Sequence, residues 1–335
     1  MKARRLSPGD HVGIISPSWG GAAVFPHRVD LGVRALERLG LRVKLGRHAL
    51  NQRGVVSDSP QNRAADLHDM FRDPDVRLIV AAIGGDHSCH LLPHLDFELI
   101  RQHPTLFMGY SDITVLNVAL WVATGLVTFN GPALLPDFAE YPEMFEYTRS
   151  WFWKAVTRPE PVGAIAPAVD WTEEFLDWTT KADLVRPRAR RPSAGWTWLK
   201  RGTAEGVLVG GCLESLEHLR GTRFWPAWDG CILFVETSEM APAPAVVDGM
   251  LMDYQNMGVL DRIRALLVGR PMRYTEDQRQ QLRDVVLERT QSFDFPVVMD
   301  MDFGHTAPQF TLPIGCRARV DAAAERFEIL EPAVE

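Results

Sequence analysis

Three polar residues follow apolar runs in this 335-residue chain. Ser111 comes after Thr105–Met108, Glu236 closes Gly230–Val235, and His305 comes after Pro296–Met301 and a short Asp-Phe-Gly. A hydroxyl, a carboxylate and an imidazole are the set that acyl transfer requires. A neutral serine attacks poorly until a base takes its proton, and the base needs a carboxylate to orient it. The chain order serine, acidic residue, histidine is one of several in use. Glu239 is close enough to Glu236 to hold the acidic role instead, and His305 could equally be a satisfied core histidine.

The serine lies in Gly109-Tyr110-Ser111-Asp112-Ile113-Thr114, between an apolar run and an amphipathic one (Ile113, Leu116, Leu120, Ala123). A strand that bends over a glycine into a helix exposes the residue at the bend, at the sheet edge where ligands bind. The usual elbow has glycine two residues after the serine; here Ile113 stands there. A helix cap by Ser111 or Asp112 is the plainer alternative.

Gly84-Gly85, after the buried run Val76–Ile83, offers backbone that can approach an anion closely, as an oxyanion hole or nest. The same loop carries Cys89 between His87 and His90, which admits a cysteine hydrolase as a rival. Histidines 87, 90 and 94 lack the accompanying carboxylate or cysteine ligands of a metal site. Gly13, Gly20 and Gly21 fit no dinucleotide fingerprint. Neither a metal nor a cofactor is expected.

These residues need a scaffold, and its elements can be read in order. Apolar runs at His11–Ile15, Leu41–Leu45, Val76–Ile83, Thr105–Met108 and Leu126–Asn130 alternate with helical spacing, which predicts a doubly wound, mostly parallel α/β sheet. Beyond Pro142 the periodicity fades into a zone rich in Trp, Pro and charge. Strands then recur at Gly206–Gly210, Gly230–Glu236, Ile263–Val268 and Pro296–Met301, before a closing hairpin. Thr275–Gln278 is a capping box. The expected division is a domain over 1–150 carrying the nucleophile, a linker over 151–195, and a smaller, mainly β domain over 196–335 carrying acid and base. Eight of ten tryptophans fall between Trp151 and Trp228, which favours a packed seam over an aromatic ligand surface. The basic stretch Lys181–Arg191 reads as a solvated linker.

Composition is that of an ordinary globular protein: 46% hydrophobic, 24% charged, net charge −7. Nothing points to nucleic acid or to a membrane. Four isolated cysteines and a polar amino terminus fit a cytoplasmic protein with reduced thiols.

Taken together, Gly9–Ser18, Ile83–Asp86, Leu91-Leu92-Pro93, Gly109–Thr114, Gly210-Gly211, Gly230–Glu236 and Gly304-His305 with Pro313-Ile314-Gly315 resemble the LD-carboxypeptidase family of serine peptidases. Gly131–Pro136, Gly202–Gly206 and Glu236–Glu239 bring the chain nearest the branch that confers immunity to microcin C. The resemblance implies a Rossmann-like amino-terminal domain, a mainly β carboxyl-terminal one, a site between them and a homodimer. It implies Ser111 as nucleophile, His305 as base and Glu236 as orienting acid, with the N–H groups of Gly85 and Asp112 binding the oxyanion. The expected substrate is a small peptide or a peptidyl or aminoacyl nucleotide, cleaved at an amide or acyl-phosphoramidate bond. The alternatives are the L,D bond of a murein tetrapeptide, or no catalysis at all in an α/β binding module. Where relatives have Gly-Gly-Asn-Leu this chain has Gly210-Gly211-Cys212-Leu213, replacing an amide by a weak thiol donor.

Overall fold

A computed structural model describes residues 1–335. The first half builds a sheet from β1 (His11–Ile15), β2 (Arg42–Leu45), β3 (Val76–Ala81), β4 (Leu106–Gly109) and β5 (Thr128–Asn130), all mutually parallel. β3 sits between β1 and β4 and is buried over nearly its whole length, which is why its sequence runs apolar without alternation. The connecting helices begin where side chains can satisfy their free N–H groups. The helix Pro60–Arg72 has Ser59 accepting from the Asn62 N–H and proline in its first turn. The helix Thr114–Thr124 ends on Gly125 at φ 75°, the left-handed stop that glycine adopts without strain.

The second sheet has eight strands: β6 (Gly163–Ile165), β9 (Thr197–Lys200), β10 (Thr203–Cys212), β11 (Cys231–Glu236), β12 (Ala265–Gly269), β13 (Val297–Met301), β15 (Arg317–Asp321) and β16 (Arg326–Ile329). β7 (Asp170–Trp171) and β8 (Arg191–Pro192) form a separate small pair, and β14 (Leu312–Ile314) lies elsewhere. In this sheet β10 to β13 are parallel, and antiparallel strands flank them on both edges. The helix Glu276–Thr290 carries the reciprocal Thr275–Gln278 capping box that the sequence predicts.

The chain does not respect the division into halves. β6, within the stretch read as a linker, is an edge strand of the second sheet, and β14 returns to pair with β5 in the first. One apolar core of 87 buried residues draws on both sheets, so the seam is packed and is no open hinge. At that seam the Cys212 N–H donates to Thr114 Oγ1 (3.0 Å), and Gly211, at φ 148°, leaves no room for a side chain: a Cβ there would meet Thr114 at 2.3 Å. This contact ties the end of β10 to the helix that follows Ser111.

Most of the clustered tryptophans pack. Trp171, Trp196 and Trp228 are buried, and Trp225 and Trp228 contact Tyr254. Trp178 is different, as described below. The basic stretch is also more than a solvated linker. Arg191 lies 3.7 Å over the Trp171 ring, and Arg188 pairs with the buried Glu140. No helix is long and apolar enough to cross a membrane.

Candidate active site

Ser111 follows β4 at φ 62°, a left-handed conformation unusual for any residue other than glycine, Asn or Asp. Such strain persists where the surroundings over-determine it, and it turns the hydroxyl outward at the strand end. The missing glycine of the elbow is explained by Gly109. A Cβ on Gly109 would lie 2.8 Å from the Ile113 side chain, so the bend puts its small residue two positions before the serine and lets Ile113 pack over it. Gly84 comes closest from the neighbouring loop: a Cβ there would be 2.8 Å from Ser111 Cβ and 2.9 Å from its Oγ. Gly85, at φ 140°, lines the cleft beside it.

Asp112 makes no helix cap. Its carboxylate accepts from the N–H groups of His87 (3.0 Å) and Ser88 (2.8 Å) and from the Ser88 hydroxyl (2.9 Å). It thereby fixes the glycine loop against the serine bend.

His305 arrives from the second sheet. Its Nε2 is 3.1 Å from Ser111 Oγ and its Nδ1 is 2.6 Å from Glu236 Oε2. Gly304, at φ 96°, is required for that approach, since a Cβ would stand 2.5 Å from Glu236 Oε2. The turn is anchored by Asp302, fully buried, which accepts from Arg270 (2.7 Å), from the Trp196 indole (2.7 Å) and from the Ala168 N–H (2.9 Å). The Tyr110 ring meets the imidazole edge-on at 5.2 Å.

Glu239 Oε2 is also 3.0 Å from Nε2, on the side where Ser111 lies. Burial disfavours charge on His305, yet Glu236 and Glu239 outweigh it and hold the imidazole up to about 10. The two carboxylates respond oppositely. Full burial raises Glu236 against the pull of His305, whereas the hydrogen bond from His305 brings half-exposed Glu239 down to about 2. Glu236 is therefore the fixed partner at Nδ1, and Glu239 a second one at Nε2, the nitrogen that faces Ser111.

These groups open into a cleft of about 340 Å³ between the two sheets. An aromatic wall, the arrangement that the tryptophan clustering placed second to a packed seam, lines it: Trp19 against Phe25 (5.9 Å), Phe25 against Trp178 (5.3 Å), and Trp178 against Phe175 (5.6 Å). Arg28 lies 4.5 Å over the Trp178 ring. The clustering of tryptophans was the one available signal, and it does not distinguish Trp178 from its packed neighbours.

The rival constellations do not assemble. Cys89 is not part of the cleft lining, and burial raises its thiol, which leaves little thiolate. His87 and His90 meet each other edge-on at 5.3 Å, and no group of three or more His, Cys, Asp or Glu side chains could hold a metal ion. Cys212 is buried, with its thiol 3.5 Å from Glu214, and it too is absent from the cleft lining.

A two-sheet α/β protein with a strand-end serine, an imidazole and a carboxylate in one line has the parts of a serine hydrolase. Family models bear on this directly. Residues 12–131 match the LD-carboxypeptidase N-terminal domain and residues 205–320 its C-terminal domain. A Bacillus subtilis protein named as a probable murein peptide carboxypeptidase is 32% identical, over 99% of this chain and 95% of its own. The microcin C7 self-immunity protein MccF of Escherichia coli is 29% identical over 99% of this chain and 96% of its own. MccF solved in complex with aspartyl sulfamoyl adenosine superimposes with a TM-score of 0.91 at 28% identity, covering all of both chains. The chain belongs to the LD-carboxypeptidase family.

Proposed function

We propose that the protein is a serine hydrolase in which Ser111 is the nucleophile, His305 the base and Glu236 the orienting acid, and that it cleaves the acyl bond of a peptidyl or aminoacyl nucleotide. The observation that carries the reading is the unbroken line Ser111 Oγ–His305 Nε2 and His305 Nδ1–Glu236, opening beside an aromatic wall. The 1–150 unit supplies the nucleophile and the 196–335 unit the acid and base.

In the proposed reaction, neutral His305 takes the serine proton at Nε2 while Nδ1–H donates to Glu236. Ser111 Oγ bonds to the acyl carbon, and the oxyanion is held by the N–H groups of Gly85 and Asp112. His305 then protonates the leaving nitrogen as its bond to carbon breaks. Water, deprotonated by the same imidazole, releases the acyl group from the serine. The rings of Trp19, Phe25 and Trp178 suit a nucleobase, which stacks on aromatic faces. MccF, which binds aspartyl sulfamoyl adenosine, shares the whole fold with this chain.

A second reading, hydrolysis of the L,D bond of a murein tetrapeptide, is favoured by the 32% identity to the Bacillus subtilis protein. A fluorophosphonate probe tests the nucleophile: labelling that disappears in Ser111→Ala supports it, and labelling that persists overturns it. Comparing an aminoacyl sulfamoyl adenosine with a murein tetrapeptide as substrates decides between the two chemistries.

A further inference from the structure

Glu239 is the cleft carboxylate whose side chain pairs with no arginine, no lysine and no other residue's amide; Arg273 acts on it at longer range, and its own backbone N–H also favours its charge. Asp183 meets Arg28 (2.9 Å), Glu140 meets Arg188, Glu174 meets Arg186 (2.6 Å), and Asp137 accepts from Gln309 and the Ala133 N–H (both 2.9 Å). Arg273, the nearest guanidinium on the same wall, donates to the Glu239 backbone carbonyl (3.1 Å). The side-chain partner of Glu239 is His305 Nε2, the nitrogen that must also receive the Ser111 proton. One ring nitrogen cannot serve both at once. The carboxylate has to leave Nε2 before the serine can be activated.

The backbone beneath it is pinned. The Ser238 N–H and hydroxyl donate to Glu214 (3.0 and 2.7 Å), and the Tyr274 hydroxyl donates to the Pro242 carbonyl. Any displacement is thus left to the half-exposed side chain, which lines the cleft. A displaced carboxylate at this spot stays beside the reacting atoms and wants a cation.

We propose that Glu239 determines specificity by pairing with an ammonium group on the acyl residue of the substrate, an exchange in which the substrate's cation replaces the imidazole as its partner. The proposal rests on the Ser111–His305 reading above. An attacked carbonyl carbon lies about 3–3.5 Å from the serine oxygen before reaction, and an α-nitrogen is two bonds from that carbon, which places a free α-ammonium within reach. The side-chain ammonium of a basic residue supplies the same chemistry from further out. An acidic acyl side chain would face Glu239 with like charge.

The test measures kcat/KM for alanyl, N-acetylalanyl, lysyl, N-acetyl-lysyl and aspartyl sulfamoyl adenosine with the wild type, Glu239→Gln and Glu239→Lys. In the wild type, removing the paired ammonium lowers kcat/KM roughly ten- to a hundredfold, the usual worth of a hydrogen bond to a charged group. The alanyl pair reads the α-ammonium, and N-acetyl-lysyl against N-acetylalanyl reads the side chain. Glu239→Gln narrows these ratios and Glu239→Lys turns the preference toward the aspartyl compound, an inversion that a purely structural role would not produce. Equal ratios in the wild type and Glu239→Gln, or a wild-type preference for the aspartyl compound, overturn the assignment. If none of the compounds is hydrolysed while Ser111 still labels with fluorophosphonate, this assignment falls together with the nucleotide substrate, and the nucleophile stands. If the labelling itself is not serine-dependent, the underlying reading has failed.

Discussion

The two strand ends that meet in the cleft are held by opposite means. Ser111 is presented through backbone geometry: a left-handed bend after β4, with Gly109 and Gly84 giving way on either side and Asp112 tying down the loop opposite. His305 is presented through buried charge: Glu236 at its Nδ1, and Asp302 gripping Arg270, Trp196 and Ala168 beneath its turn. The first end is specified by what has been left out of the sequence, the second by what has been paid into it. A nucleophile needs exposure with little freedom, which a strained turn supplies. A base needs a defined tautomer, which only a charged partner in a dry place supplies.

Changes at the chemical groups themselves have the largest expected effect, and they do not distinguish the two ends. Ser111→Ala and His305→Ala each lower kcat on the order of a millionfold, as expected of residues that act as one unit, and the double variant is scarcely worse. Near-additive losses in steady-state assays would show that the two do not act together. Glu236→Gln keeps the shape but loses the carboxylate that fixes the tautomer, at a cost of about ten-thousandfold in kcat. If Glu239→Gln were the more damaged of the two, the orienting role would pass to Glu239.

Breaking the geometry of the first end comes next. Gly84→Ala pushes a methyl group against Ser111 and shuts the approach to the proposed oxyanion loop. Its expected signature is a loss of about a hundredfold or more in kcat, comparable with removing an oxyanion donor, with the unfolding midpoint little changed. A variant with unimpaired turnover would mean that the loop does not constrain the serine.

The smallest effect is also the sharpest for the comparison. Glu236 and Glu239 both raise the pKa of His305, and the base works only when neutral. Removing Glu239 therefore lowers that pKa, and the acid limb of the kcat/KM profile moves to lower pH. A limb that stays put, or moves upward, would separate Glu239 from the imidazole in the working enzyme.

How much of this was legible depended on whether the signal was local. β3, β4 and β11 could be read because a strand buried on both faces runs apolar and then stops. Ser111, Glu236 and His305 could be picked out because each stands just past such a stop. Spacing alone could not choose between Glu236 and Glu239, because only Thr237 and Ser238 separate them and both reach the same imidazole. Trp178 could not be told from Trp171 or Trp196, since sequence does not say which large ring packs and which faces space. Arg188 sat in a stretch that looked solvated, and its partner Glu140 is 48 residues away.

β6 to β9 and β14 left no mark in the local pattern, whereas the buried strands, the residue types at their ends and the glycines that make the close approaches possible could be read from it. These are short-range consequences of hydrophobic period and backbone sterics. Only the tertiary structure decided that a serine and a histidine 194 positions apart stand 3.1 Å from each other, and that a second carboxylate competes for the same nitrogen. Those facts follow from the docking of two sheets through one core, with β6 and β14 each completing the other half's sheet. Contacts of that range are fixed by how whole surfaces pack, a sum over many residues that no single stretch of chain contains.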